Sequence, residues 1–148
     1  MIDYGLLAAQ IESLAEGEDN TIGVLANASA LIKEVSGWFW VGFYIVNGDK
    51  LTLGPFQGSP ACMSIGYGKG VCGTAWERGE TLIVDDVEEF PGHIACSALS
   101  RSEIVVPLKS VGKVVGVLDI DSTATGTFTT ADARGLEKVC DALSRLFL

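Results

Sequence analysis

The chain has 148 residues, the length of a single domain with one hydrophobic core. Its formal net charge is −9, with 19 acidic against 10 basic residues and no basic patch, which argues against nucleic-acid binding. No apolar run approaches the roughly 18 residues that span a bilayer, and the N-terminus lacks the basic and apolar regions of a signal peptide. We therefore expect one cytoplasmic domain over residues 1–148, without membrane contact and with reduced cysteines.

Two amphipathic helices are predicted at the N-terminus. Residues 4–15 carry apolar side chains at helical spacing behind Asp3, a plausible N-cap, and Gly17 would end this helix. Residues 19–35 form a second apolar stripe, and Gly37 follows where a helix C-terminus prefers glycine.

A β-meander is predicted next. Residues 38–46 are aromatic and β-branched, Asn47-Gly48 is a hairpin signal, and residues 50–56 form the returning strand. Residues 57–73 are rich in glycine without sustained periodicity, so we expect an irregular loop that lines a site.

Shorter elements follow, and then a long hairpin. Residues 70–78 predict a short helix ended by Gly79, and residues 81–84 predict a strand. The β-rich runs 103–109 and 113–122 predict the last hairpin. Its apolar residues occupy both parities, which indicates a sheet covered on both faces.

The C-terminal helix begins at a variant capping box, with Thr129 as N-cap and Asp132 in the usual Glu position. The order of elements predicts an α+β fold. In this fold a central antiparallel sheet has the N- and C-terminal helices packed on one face and ligand-binding loops on the other.

Three cysteines lie in or beside irregular segments, where reactive residues are common: Cys62, Cys72 and Cys96. Cys140 lies on the apolar stripe of the last helix and is expected to pack as a small hydrophobe. His93, the single histidine, lies three residues before Cys96. Three roles are open to it: the base for Cys96, structural support of the loop, or a contact to the ligand.

Zinc is an alternative use of the same groups, because Cys62, Cys72, Cys96 and His93 are four potential ligands. No pair has the short Cys-x2-Cys spacing of structural zinc sites, so no metal site is predicted. In a redox role, by contrast, an attacking thiol and a resolving thiol need no fixed spacing in sequence and have only to lie close together in the fold.

Carboxylates mark the last hairpin. Asp119 and Asp121 are two apart on one strand face, roughly 7 Å from each other, and an odd number of turn residues would bring Glu103 to the same face. Two such charges repel by about 2 kcal/mol at an effective dielectric near 20, so one group can hold a proton at neutral pH. The alternative is that these acids lie where the strands fray into solvent. The core-like flanks favour an acidic pocket for a ligand with an ammonium group.

These residues lie within longer motifs that resemble one family, the GAF-domain free methionine-R-sulfoxide reductases. The motifs are Gly42-Phe43-Tyr44, Gly54-Pro55-Phe56-Gln57-Gly58, Pro60-Ala61-Cys62, Gly70-Val71-Cys72-Gly73-Thr74-Ala75, Gly92-His93-Ile94-Ala95-Cys96, Ser102-Glu103-Ile104-Val105-Val106-Pro107-Leu108 and Gly116-Val117-Leu118-Asp119-Ile120-Asp121-Ser122. The resemblance implies a single GAF domain that reduces free L-methionine-(R)-sulfoxide, but not the same group within a protein chain.

The resemblance also implies roles for the thiols. Cys96 would attack the sulfoxide sulfur, release methionine and become a sulfenic acid, and Cys62 would resolve it as a disulfide. Cys72 would be a secondary or alternative thiol. Thioredoxin, recharged from NADPH, would reduce the disulfide, so no bound cofactor is expected.

The substrate contacts implied by the resemblance are the acids Glu103, Asp119 and Asp121 for the sulfoxide oxygen and amino group. Trp40 and Tyr44 would border the methyl site. The alternative function is a GAF module that binds a small ligand or senses oxidants through the same thiols. The oligomeric state stays open, with a homodimer as one option.

Overall fold

The computed structural model describes residues 1–147, and the chain forms four α-helices, six strands and two short 3-10 helices within this range. In chain order they are α1 Tyr4–Ala15, α2 Thr21–Ser36, β1 Trp40–Asn47, β2 Lys50–Gln57, β3 Ser64–Gly66, α3 Gly70–Arg78, β4 Leu82–Val84, a 3-10 turn Val87–Glu89, β5 Ser102–Ser110, β6 Lys113–Ser122, α4 Thr130–Ser144 and a 3-10 turn Arg145–Phe147. The predicted elements are thus confirmed in type and order.

The strands form one antiparallel sheet in the order β3-β2-β1-β6-β5-β4. The long hairpins β1–β2 and β5–β6 meet where β1 pairs with β6, so the sheet centre joins segments about 75 residues apart in the chain. In the first hairpin Asn47 pairs with Lys50, which places Gly48 at φ 67° at the tip, one residue later than Asn47-Gly48 suggested.

One part of the sequence reading is wrong. The irregular loop expected over residues 57–73 contains β3, which pairs with β2 through Ser64↔Thr52 and its neighbours. A strand of three residues is too short to show a period in sequence, and its pairing depends on a partner strand already in place.

The helices α1, α2 and α4 cover one face of the sheet with a continuous apolar core. Central side chains in that core, such as Phe43, Leu118 and Leu136, have no exposed surface. Cys140 also lies in this core, as predicted, and is 2% exposed. The helical face of the sheet therefore carries a hydrophobic core that stabilises the fold.

Local capping fixes the ends of these helices. Asp3 accepts a hydrogen bond from the Leu6 amide, as predicted for α1. Asn20 caps α2 by accepting a hydrogen bond from the Gly23 amide at 2.9 Å. At the C-terminal helix, Thr129 and Asp132 form the reciprocal capping box predicted from sequence.

The opposite face of the sheet is covered by α3 and by the loops around it. Its smaller core includes Tyr44, Val105 and Val117 from the sheet and Val71 and Ala75 from α3. Within residues 1–147, no helix is long and apolar enough to cross a membrane.

Candidate active site

Three strands place polar side chains in one row on the face covered by α3. Asp121 of β6 pairs with Trp40 of β1 on one side and with Glu103 of β5 on the other. Two residues back along β6, Asp119 lies opposite Gly42. The register therefore brings the three acids predicted from sequence onto one wall.

Two of these acids are buried deeply. The side chains of Glu103 and Asp119 are each 6% exposed, while Asp121 is partly exposed. Strands that frayed into solvent would expose these groups, so the alternative of a solvated pair is wrong. A carboxylate held in such a place costs several kcal/mol unless a proton or a cation compensates its charge.

Burial and mutual repulsion raise the pKa values of this cluster. The pKa of Glu103 lies well above its ordinary value because the carboxyl is desolvated and faces Asp119 and Asp121. Desolvation and then the Asp119 charge raise the pKa of Asp121 in the same way. Burial also raises the pKa of Asp119, although Glu103, Cys72 and His93 beside it act in the opposite direction. Burial and mutual repulsion therefore favour the protonated forms of these acids more than in an exposed carboxyl group.

Cys72 of α3 packs against the same acids. It is the third residue of α3, is 3% exposed, and its Sγ is 3.9 Å from Glu103 Oε2. Burial, followed by the charges of Asp119 and Glu103, raises the pKa of this thiol. Cys72 is thus a protonated, buried thiol within the acidic cluster.

Cys62 and Cys96 are joined by a disulfide, with their Cα atoms 5.4 Å apart and a sequence separation of 34. Both cysteines are half-buried, and Cys96 lines the cavity that the acids also line. The zinc set considered from sequence does not exist in this form, since two of its four members are bonded to each other.

Aromatic residues of β1 hold the loop that carries Cys62. The Trp40 Nε1 donates to the Ser59 carbonyl at 2.9 Å, and the Tyr44 hydroxyl donates to the Cys62 carbonyl at 2.8 Å. The Trp40 ring stacks on Phe56, with centroids 5.1 Å apart. Trp40 and Tyr44 are therefore both cavity walls and anchors for one of the two bonded cysteines.

Glycine makes room for the Trp40 indole. A Cβ on Gly42 would come within 2.5 Å of the ring and 2.4 Å of the Phe56 Cβ. The side chain can lie flat across β1 because this position has no Cβ.

The Cys96 loop closes the cavity from the other side. Ile94 packs against Gly70, at the start of α3, where a Cβ would meet it at 3.1 Å and where φ is +60°. His93 lines the cavity and lies near Asp119, so it faces the acids. In this disulfide-linked form the cavity has a volume of about 40 Å³, which is room for water molecules.

Two buried polar atoms of the described residues have no hydrogen-bond partner, Ser59 Oγ and Asp119 Oδ1, and both residues line this cavity. No Lys or Arg is among the cavity-lining residues of the described chain, so His93 is the single basic side chain there. An acceptor-rich cavity of this kind suits a small ligand with a positive group.

Sequence reasoning did not find Ser59, Ile94, Ser97 and Ser100, which also line the cavity. A serine before Pro60 has no distinguishing pattern in a single sequence. The loop contacts that bring these residues to the cavity are tertiary.

Comparison with known proteins places this geometry among related molecules. The sequence model of the GAF domain matches residues 18–147. The chain is 52% identical over 141 residues to GAF domain-containing protein A of Dictyostelium discoideum, covering 95% of this chain and 89% of that protein. It is 46% identical over 144 residues to the free methionine-R-sulfoxide reductase of Escherichia coli, covering 97% and 87% of the two chains.

A solved structure gives the same picture in three dimensions. The free methionine-R-sulfoxide reductase from Neisseria meningitidis, in complex with its substrate, superposes with a TM-score of 0.94 at 50% identity. The match covers 97% of this chain and 87% of that one. The predicted GAF-like α+β fold is thereby confirmed.

Proposed function

The chain belongs to the GAF-domain family of free methionine-R-sulfoxide reductases, and we propose on this premise that it reduces free L-methionine-(R)-sulfoxide to L-methionine. One observation carries the proposal most directly. The Cys62–Cys96 disulfide includes one cysteine, Cys96, that lines the same cavity as the buried carboxylic acids Glu103 and Asp119. Thiol reductant and proton source are therefore adjacent.

The acids supply two of the contacts that the substrate needs. The ammonium group of a free amino acid would be held by Asp119, whose Oδ1 is buried without a partner. Glu103 and Asp121, with their raised pKa values, would donate a proton to the sulfoxide oxygen. Trp40 and Tyr44 would border the methyl group.

The chemical step is attack by Cys96. Its sulfur bonds to the sulfoxide sulfur while the sulfoxide oxygen takes a proton from the acid. The oxygen then passes to Cys96 as methionine leaves, so the substrate sulfur is reduced and Cys96 becomes a sulfenic acid. The nearby acids disfavour a free thiolate, which favours proton transfer concerted with attack.

Resolution returns the enzyme to the disulfide form described here. The Cys62 thiol attacks the sulfenic acid, the S–S bond forms and the oxygen leaves as water. Thioredoxin, reduced from NADPH, would then exchange its dithiol for the disulfide, and no bound cofactor is needed. Cys96 must meet the substrate sulfur during attack and the Cys62 sulfur during resolution, so the Cys96 loop would move between the two steps.

The test is consumption of NADPH with thioredoxin and thioredoxin reductase present. Free methionine-R-sulfoxide should be turned over, while the S epimer and a peptide-bound sulfoxide should not. The absence of turnover with the free R epimer would reject the proposal. Formation of the Cys62–Cys96 disulfide under oxidant, without such turnover, would instead support the redox-sensing module.

A further inference from the structure

The Cys62–Cys96 disulfide is recycled by a sulfur atom that bonds to one of its two sulfurs. In such a mixed disulfide the sulfurs are about 2 Å apart and the two Cα atoms are about 6 Å apart. Both cysteines are half-buried, so a protein reductant has to bring its own surface into contact with the residues around them. The side chains beside Cys62 and Cys96 are therefore the contact surface for a protein that reduces this bond.

Three large apolar side chains are exposed beside the two cysteines. Met63, which follows Cys62, is 75% exposed, and Leu99, three residues after Cys96, is 63% exposed. Ile94, two residues before Cys96, is 38% exposed. Because consecutive Cα atoms are 3.8 Å apart, the Cα atom of each of these residues lies within about 12 Å of a bonded cysteine. We call these three side chains the apolar patch.

Charged residues are absent from both segments that carry the apolar patch. Residues 57–68 and 90–100 contain no Asp, Glu, Lys or Arg, although 20% of the chain is charged and its net charge is −9. The centre of a protein–protein interface has this composition, because charged residues are depleted there and methionine is enriched. An exposed apolar cluster of this kind marks a binding surface.

Hydrogen bonds and the disulfide hold the backbone beneath the apolar patch. The Met63 carbonyl accepts from the Leu53 amide of β2 at 3.0 Å. The Leu99 amide donates to Ser97 Oγ at 3.2 Å. The disulfide joins the segment that carries Met63 to the segment that carries Leu99. A surface ordered before contact loses less conformational freedom when a partner docks, which favours binding to the disulfide form.

We propose that Met63, Ile94 and Leu99 form the docking surface for a protein dithiol of the thioredoxin class, one whose attacking cysteine lies within an apolar and uncharged surface. The proposal rests on the thioredoxin recycling proposed above. One thiolate of the partner attacks one sulfur of the Cys62–Cys96 bond, and the other sulfur leaves as a thiol. The partner's second thiol then displaces the first, so the chain gains two electrons and two protons while the partner becomes a disulfide.

The test is the reduction of the disulfide form of the full-length chain, with no sulfoxide present. Met63→Gln combined with Leu99→Gln makes the apolar patch polar at similar side-chain size and keeps Ile94, which lines the cavity. The second-order rate constant for reduction by thioredoxin, followed by alkylation of the freed thiols, should fall at least about tenfold. Reduction by dithiothreitol should stay unchanged, because a small dithiol does not need the patch.

Leu6→Gln combined with Ile22→Gln is the matched control, because these apolar side chains are 56% and 74% exposed on α1 and α2, across the sheet from the cavity. Both rates should stay at the parent values. A parent-like thioredoxin rate in the Met63 and Leu99 variant, or an equal fall with dithiothreitol, would overturn the docking surface. So would a parent disulfide that dithiothreitol reduces and thioredoxin does not.

This measurement is separate from sulfoxide reduction, because an added oxidant can form the disulfide directly. A chain that thioredoxin reduces through the apolar patch, but that does not turn over methionine-R-sulfoxide, would keep the docking surface and reject the proposed function.

Discussion

The same strands carry different kinds of side chain on the two faces of the sheet. Along β1, Val41 and Phe43 point into the core under α1, α2 and α4, while Trp40 and Tyr44 point to the cavity. The helical face buries mainly apolar side chains, and the hydroxyl of its buried Ser29 donates to backbone carbonyls of α2. The cavity face includes three carboxylic acids and a thiol whose pKa values are raised by burial.

The difference shows where the fold gains stability and where it loses it. Burial of apolar surface on the helical face contributes roughly 25 cal/mol per Å². Buried acids on the other face oppose folding, because their charged forms lose hydration and repel one another. The apolar core on the helical face offsets the unfavourable free energy of burying the acids on the cavity face. Substitutions on the helical face should therefore lower mainly stability, and substitutions on the cavity face mainly activity.

The largest expected effect on activity is that of Cys96→Ser, which should abolish methionine release because the nucleophile is lost. Cys140→Ser, a thiol change on the helical face, should retain turnover. In a single-turnover assay without thioredoxin, Cys62→Ser should release about one equivalent of methionine and stop. Multiple turnover by Cys96→Ser would remove this residue from the mechanism.

The next largest effect on activity should come from replacing the buried acid Glu103 by its amide. Glu103→Gln should lower kcat/KM by about 10²–10⁴-fold, since Gln cannot donate the proton that the sulfoxide oxygen needs. Its free energy of unfolding should stay within about 1 kcal/mol of the parent, because a neutral amide is less costly to bury than a carboxylate. Glu34→Gln, an exposed change on α2, is the control for charge alone. Equal losses of rate and stability would indicate a structural role for Glu103.

Leu136→Ala should produce the reverse result. Leu136 has no exposed surface in the core beneath α4, and its truncation should lower the free energy of unfolding by about 2–5 kcal/mol. The kcat of the folded protein should change little, because the cavity lies on the opposite face. Urea denaturation and assays at low temperature would test this, and a matching fall in kcat would show that the faces are coupled.

The smallest effect concerns pH. Glu103 and Asp121 have folded pKa values raised above their ordinary values near 4, so the native state binds more protons than the unfolded state above that pH. Stability should therefore fall as pH rises from about 4 toward the raised pKa values. Glu103→Gln should flatten this slope in thermal unfolding of the disulfide form. Parallel curves for parent and variant would contradict it.

Several features were predictable because their causes are local. The left-handed Gly37 at φ 71° ends α2, and the capping box of Thr129 and Asp132 begins α4. The alternation of Asp119 and Asp121 on one strand face follows from the period of a β-strand. In contrast, the three-residue strand β3 was not predicted, because its pairing with β2 depends on a partner strand that is distant from sequence-local signals.

The sequence by itself determined the types and order of most elements, the shared face of Asp119 and Asp121 and, by resemblance of motifs, the family. Glu103 reaches that face because the register shifts between Leu108 and Lys109 in the hairpin, which the sequence did not show. The tertiary structure decided which groups meet. It paired Cys62 with Cys96, placed Cys72 against Glu103 and left Ser59 Oγ and Asp119 Oδ1 without partners. Secondary structure follows from interactions among near neighbours, but these contacts join segments brought together only when the sheet forms and the loops close over it.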